Sequence, residues 1–200
     1  MVELTSLLPP LHNRYYALRH GQSLANVQSV IVSHPTIGTD AFGLSEHGKE
    51  QVLAILEDLP ADFDEGLKIV SSDFLRARET AAIIAAGLAT TDPISLNEKL
   101  RERFFGQLDG QPDSRYGEVW LADALDPTHC SFDVESAESV VSRAVSLVLE
   151  LESRYRRQVV LLVAHGDVLQ LLQTAFRRVS PATHRELPAL QVAEIRLLSA

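Results

Sequence analysis

Two His-Gly pairs stand at opposite ends of the chain, each closing an apolar run of strand character. They are Tyr15-Tyr16-Ala17-Leu18-Arg19-His20-Gly21 and Val159-Val160-Leu161-Leu162-Val163-Ala164-His165-Gly166. A neutral imidazole can attack as a nucleophile or act as a hydrogen-bond partner near pH 7. Arg19, beside the first histidine, offers paired N–H donors that match a phosphate, and Gly21 lets the backbone come close to a ligand. A helical pattern follows each pair, which turns free amides and a positive dipole end toward the same place. If both strands lie parallel in one sheet, their C-terminal ends bring two imidazoles and a guanidinium to one crevice, where open α/β sheets bind ligands. Phosphate chemistry is what this grouping suits.

Three further segments bear on that crevice. Ser71-Ser72-Asp73-Phe74-Leu75-Arg76-Ala77 lies past another strand, at a helix start, so that Arg76 either reaches the crevice or stands as a solvated helix arginine. In Leu100-Arg101-Glu102-Arg103-Phe104-Phe105-Gly106 a carboxylate sits between two arginines beside an aromatic pair. Glu102 there is a surface ion-pair member or a general acid tuned by burial and charge, and the pattern leaves both open. His165 is a core histidine satisfied by a carbonyl or a second imidazole donating to a phosphoryl oxygen. The remaining histidines, His12, His34, His47, His129 and His184, have no metal-ligand spacing, and no HExxH or Cys-His cluster is present, so no metal is expected. No Walker A loop and no GxGxxG occur, so no nucleotide cofactor is expected either.

The elements that must position these residues alternate. A strand over 14–18 is followed by a helix over 22–28 and a long loop over 29–43. Ser45 caps a helix that runs to Pro60, with Val52, Ile55, Leu56 and Leu59 at helical spacing. Strands are expected at 66–71 and 94–96, with an alanine-rich helix over 73–89 between them. Residues 100–127 are the least periodic and read as an insertion, with helix around 116–125. A long amphipathic helix over 138–156 leads into the buried strand 159–163, a helix over 167–177 and a last strand over 192–198. The expected fold is α/β, a three-layer α/β/α sandwich with a mainly parallel sheet of about six strands and one antiparallel strand. Residues 1–13 read as an N-terminal tail and 14–200 as a single domain, with a lid or insertion around 103–136.

Composition narrows the classes of partner. Hydrophobic residues make up 46% of the 200 residues, enough for a core, and charged residues 22%. A net charge of −9 argues against nucleic-acid binding, which needs basic surface to displace counterions. Any anionic substrate must be held by local arginines. No apolar run approaches the ~20 residues of a membrane span. The lone Cys130 excludes an intrachain disulfide and fits a reducing, cytoplasmic compartment.

In this order, the segments resemble those of the histidine phosphatase superfamily, the phosphoglycerate mutase-like family, over nearly the whole chain from Tyr15. Leu18-Arg19-His20-Gly21-Gln22-Ser23 with Asn26 resembles its RHG motif. Gly43-Leu44-Ser45 with Gly48 and Gln51, Ser71-Ser72 through Arg76-Ala77 with Thr80-Ala81, Leu100-Arg101-Glu102 with Phe105-Gly106 and Gly110, and Ala164-His165-Gly166 are similar to the four that follow. The resemblance implies a phosphorylated nucleophile at His20 and a proton donor at Glu102. It implies a phosphate grip by Arg19, Arg76 and His165, a hydrogen bond from Asn26, and no metal or other cofactor. Gln22, Ser23, Arg103 and Gly166 are carried along as residues that touch substrate or hold those that do. Asp73 stands where the family has proline, and Ser136-Ala137-Glu138-Ser139 lacks its paired glycines; both bear on substrate preference.

Mutases of the family carry His-Tyr after the glutamate motif and a long insertion, whereas this chain has Phe104-Phe105 and a short span to His165. A mutase must also shield its phosphoenzyme from water. The expected activity is therefore metal-independent hydrolysis of a small phosphomonoester through a phosphohistidine. Mutase-type phosphoryl transfer is the runner-up, and a catalytically weak phospho-ligand-binding protein is the alternative from another class. Phe104, Phe105, Arg103, Arg115 and the loops at 29–43 and 106–135 are expected to shape the leaving-group side. The C-terminal edge strand is open to pairing in a homodimer or to standing as a free edge.

Overall fold

A computed structural model describes residues 8–198; of the expected tail, residues 1–7 lie outside the described residues, as do 199–200 at the other end. Five strands form one sheet: β1 (Arg14–Arg19), β2 (Lys68–Ser71), β3 (Ser95–Leu96), β4 (Val159–Ala164) and β5 (Ile195–Leu197), in the order β3-β2-β4-β1-β5. All pairs are parallel except β1–β5. The helices are α1 (Leu24–Gln28), α2 (Pro35–Gly38), α3 (Glu46–Ala54), α4 (Leu75–Gly87), α5 (Tyr116–Leu125), α6 (Ala137–Arg154) and α7 (Gly166–Arg177).

The central strand β4 is apolar and buried along its whole length, as a strand covered on both faces must be. Tyr15, Ala17, Val70, Val160, Leu162 and Ala164 pack with α6 and α7 on one face. Tyr16, Leu18, Ile69, Val159, Leu161 and Val163 pack with α3 and α4 on the other. This period-two split of consecutive apolar residues gives the three-layer sandwich. A third cluster of Ile31, Phe105, Leu108, Val119 and Val134 lies under the segment that follows Glu102.

Several expectations need correction. The described sheet has five strands and not about six, because the aperiodic stretch after β3 folds on its own small core as 3-10 turns and α5 and adds no strand. The helix that Ser45 caps ends at Ala54 and tightens into a 3-10 turn over Ile55–Asp58. The alanine-rich helix starts at Leu75, after the buried Phe74. The long loop holds the one-turn α2, begun by Pro35. The last strand is shorter than expected because Ala193 sits at φ +57°, with its N–H bonded to the Arg19 and His20 carbonyls. Residues 8–13 dock on the body: Leu8 is buried, and the Asn13 amide donates to Glu152 Oε1 at 2.7 Å and to the Tyr155 carbonyl at 2.9 Å.

Register places the chemistry. Arg19 pairs with Ala164 and Ser71 with Val163, so His20 and His165 follow their strands at the same level and Ser72 stands one residue short of them. The turn after His20 is pressed onto the first turn of α3. A Cβ on Gly48 would lie 1.9 Å from the Gln22 carbonyl oxygen, and one on Gly21 would lie 2.5 Å from the Gly48 carbonyl oxygen. Ser45 caps α3 by accepting from Gly48 N, and its own N–H donates to the Gln22 carbonyl. Gly48→Ala should therefore cost about 1–3 kcal/mol in a urea unfolding curve, since backbone cannot yield as a side chain can. Gly117→Ala, on α5 with open space around it, should be neutral or stabilising by up to ~1 kcal/mol.

Candidate active site

The three parallel strands β2, β4 and β1 deliver their C-terminal ends to one cavity of about 400 Å³. Arg19, His20, Ser23, Asn26, Arg76, Glu102 and Gly166 line it. His20 and His165 lie edge to face with ring centroids 5.2 Å apart. The sheet thus brings together the strand-end histidines and Arg76, whose inward course on α4 settles the choice that its sequence left open.

The imidazoles have defined orientations. His20 Nδ1 lies 2.7 Å from the Gly21 carbonyl oxygen, so it carries the proton and leaves a lone pair on Nε2. His165 Nε2 lies 2.8 Å from Ser72 Oγ, and its Nδ1 accepts from Arg76 Nε at 3.1 Å. The same Arg76 N–H lies 3.2 Å from His20 Nε2. Burial, then the Arg76 charge, holds both rings well below the usual histidine range. Both are neutral near pH 7.

Two guanidinium groups are sunk into this site without a carboxylate partner among the described residues. Arg76 is 4% exposed; its Nη2 donates to the Val32 carbonyl at 3.0 Å, and its buried Nη1 has no partner. Arg19 donates from Nη1 to the Leu190 carbonyl at 2.9 Å, and its buried Nε has none. Gly166 makes room for it, since a Cβ there would lie 3.2 Å from Arg19 Cζ. Buried donors of this kind call for an acceptor, and an anion suits them best.

Glu102 is a buried carboxyl and not a surface ion-pair member. Its Oε1 accepts from Arg103 N at 3.0 Å. Burial, then the nearby Asp167, pushes its pKa up to about 7, against the pull of Arg76 and Arg19. It therefore exchanges a proton near neutrality, as a general acid or base must. Asn26 completes a capping box with Ser23, accepting from Ser23 N and Oγ through Oδ1, which turns its Nδ2 outward as the free end. Gln22 stands behind: its side chain accepts from Ser45 Oγ at 2.8 Å, and its N–H donates to Gln51.

Other residues expected on the leaving-group side lie elsewhere. Arg103 is fully buried, bidentate to Asp123 at 2.7 and 2.8 Å and 3.3 Å from Asp167 Oδ2, so it braces the cavity wall from behind. Phe105 is interior to the third core cluster. Arg115 is paired with Glu118 away from the cavity. Phe104 lines a separate, more apolar cavity with His34, Lys99 and Arg143, which meets the first at Glu102. Asp73 is taken up by Arg101. Five residues that the sequence did not single out stand on the wall: Tyr116, Trp120, Asp167, Gln170 and Arg185. Tyr116 and the lone Trp120, four apart on α5, carried a signal as a helical aromatic pair; Gln170 and Arg185 carried none. No group of three or more His, Cys, Asp or Glu among the described residues is placed to hold a metal ion. No described helix is long and apolar enough to cross a membrane.

The chain is similar to known proteins over most of its length. The chain is 33% identical over 178 residues to a glucosyl-3-phosphoglycerate phosphatase of Mycolicibacterium vanbaalenii, covering 81% of this chain and 73% of the relative. It is 31% identical to a 2,3-bisphosphoglycerate-dependent phosphoglycerate mutase of Cytophaga hutchinsonii, covering 82% and 77%. The solved structure of a mycobacterial glucosyl-3-phosphoglycerate phosphatase complexed with VO3 superposes with a TM-score of 0.76 at 30% identity, over 91% of this chain and 90% of the other. The family pattern of the histidine phosphatase superfamily, branch 1, matches residues 15–199, so the chain belongs to that superfamily.

Proposed function

We propose that this protein hydrolyses a small phosphorylated metabolite by passing the phosphoryl group through Nε2 of His20. The observation that carries the reading is the convergence of two buried guanidinium groups without a carboxylate partner among the described residues, Arg19 and Arg76, on a ring whose unprotonated Nε2 meets only the long, shared N–H of Arg76. A phosphoryl group in flight spreads negative charge over its oxygens, and fixed donors in a dry site stabilise it most. The two arginines supply the charge that a divalent ion supplies in other phosphoryl-transfer sites.

In the first step the Nε2 lone pair forms a P–N bond as the P–O bond to the leaving group breaks. The protonated carboxyl of Glu102 gives its proton to the departing alkoxide. In the second step water attacks phosphorus, the Glu102 carboxylate takes its proton, and the P–N electron pair returns to Nε2. The Gly21 carbonyl keeps Nδ1 protonated throughout. Asn26 Nδ2 and the arginines hold the phosphoryl oxygens. His165 is neutral in the free protein; the incoming dianion favours a proton on its Nδ1, which then donates to the same group. Gln22, Ser23 and Gly166 serve as positioning residues, and Arg103 holds Asp167, which helps to keep the Glu102 proton on. The exposed single cysteine Cys130 fits the cytoplasm as the compartment. The phosphatase names of the M. vanbaalenii relative and of a metal-independent phosphoserine phosphatase of Arabidopsis thaliana support the substrate class. Release of the phosphoryl group to water, and not to a second alcohol, separates this reading from the mutase activity of other relatives.

His20→Ala should abolish both turnover and the acid-labile, base-stable label trapped from 32P-labelled substrate; a labelled variant would sink the proposal. Because Glu102 must start protonated and its pKa stands at about 7, kcat/KM for alkyl phosphates should fall as pH rises through neutrality. Protonation of His20, well below the ordinary histidine range, sets the acidic limb. Glu102→Gln should lose ~10²–10⁴-fold on alkyl phosphates and much less on p-nitrophenyl phosphate, whose leaving group needs no proton. Turnover should persist undiminished in EDTA.

A further inference from the structure

We propose that Arg185 is a specificity-determining cation, and that the substrate carries a second anion, a carboxylate or a further phosphate, on the alcohol that it loses. The inference rests on the reading of His20 and its arginines given above. It starts from the placement of an exposed arginine and an indole on one wall of the phosphate cavity.

Arg185 belongs to the 3-10 turn Pro181–Glu186. Its Cζ lies 3.8 Å above the Trp120 ring, a close cation–π contact. The platform beneath it is fixed. Trp120 Nε1 donates to Asp167 Oδ1 at 2.8 Å, Arg103 holds the other Asp167 oxygen, and Tyr116 stacks on the indole with centroids 5.4 Å apart and planes at 15°. The turn itself is tied down by Gln170, whose Nε2 donates to the His184 and Leu187 carbonyls at 2.6 and 2.7 Å, on either side of Arg185. An exposed arginine ordinarily sweeps through solvent and loses rotamer entropy when a ligand stops it. Here that ordering is done before any ligand arrives.

The guanidinium makes no hydrogen bond or ion pair with any described residue. Held with its Cζ over the indole, it keeps its N–H donors for a planar or tetrahedral anion. The charge balance of the cavity points the same way. Three guanidinium groups line it, Arg19, Arg76 and Arg185, against the carboxyls of Glu102, Asp113 and Asp167. Arg103 is shared between Asp123 and Asp167, and Glu102 has a raised affinity for its proton, so the three cations outnumber the carboxylates that stay charged, Asp113 and Asp167. A single phosphate dianion answers Arg19 and Arg76 and leaves Arg185 for another acid group. Gln170 adds a buried Oε1 with no partner, an acceptor for a hydroxyl on a polar leaving group.

The test compares matched esters: 3-phosphoglycerate against glycerol 3-phosphate for a carboxylate, and fructose 1,6-bisphosphate against fructose 6-phosphate for a phosphate. Each is measured with the unaltered protein, Arg185→Gln and Arg185→Lys; an ester turned over slowly is read as a competitive inhibitor of p-nitrophenyl phosphate hydrolysis. The unaltered protein should favour the doubly anionic member of one pair, and the pair identifies the anion. Arg185→Gln should remove that preference through KM, by about 10- to 100-fold, the worth of charged hydrogen bonds, and Arg185→Lys should restore part of it. Equal handling of both members by the unaltered protein, or an equal loss on both in Arg185→Gln, would overturn the inference. Turnover of p-nitrophenyl phosphate that vanishes in His20→Ala upholds the phosphohistidine reading whichever way these ratios fall.

Discussion

Burying a guanidinium without a counter-ion is the constraint around which this molecule is organised. Isolated charges in a protein interior cost several kcal/mol unless paired and hydrogen-bonded, yet Arg76 sits in the crevice with a carbonyl and two imidazole nitrogens and no carboxylate partner among the described residues. The contrast with Arg103 is instructive. That side chain is also fully buried, but two aspartates and the Glu135 carbonyl meet its donors. The paired arginine serves structure, cross-linking the segment after Glu102 to α5 and α7. The unpaired ones keep their attraction for a ligand.

Everything near Arg76 follows from supporting that charge in a dry place. Burial, and then its positive field, drives protons off His20 and His165. Burial, with Asp167 close by, also drives a proton onto Glu102. A neutral base and a neutral acid thus stand together at neutral pH, although their ordinary affinities for protons run the other way. Environments that push two titratable groups apart in this fashion mark the division of acid and base work in many enzymes.

Much of this was legible in the residues. The apolar runs before His20 and His165, each able to bury both faces, could only be inner strands of a parallel sheet, and the sheet edge follows from that. The segments containing Arg19, Arg76 and Glu102 lie at element ends, where glycines, caps and breaks in periodicity stand out, but only their order along the chain, which resembles the family's, joins Arg76 and Glu102 to the histidines. Boundaries were blurred where helices tighten into 3-10 turns, as after Ala54, since the same apolar spacing suits both forms. The aperiodic stretch from Leu100 to Pro127 misled most. Its aromatic pair divides between the interior of a small core and a neighbouring cavity, and nothing local in Phe104-Phe105 foretells which ring goes where.

The sequence by itself determined the layer architecture and the parallel strand ends, because these depend on periodicity and on spacing within single elements, while the order of its motif segments carried the family resemblance and, with it, the candidate site residues. Only the tertiary structure decided which arginine is paired and which is left for a ligand, and that Glu102 is buried. It alone placed Trp120, Gln170 and Arg185 on the cavity wall. Those outcomes depend on side chains from α5, α7 and the 181–186 turn meeting across long stretches of chain. Burial and charge pairing are properties of that meeting and of no segment alone.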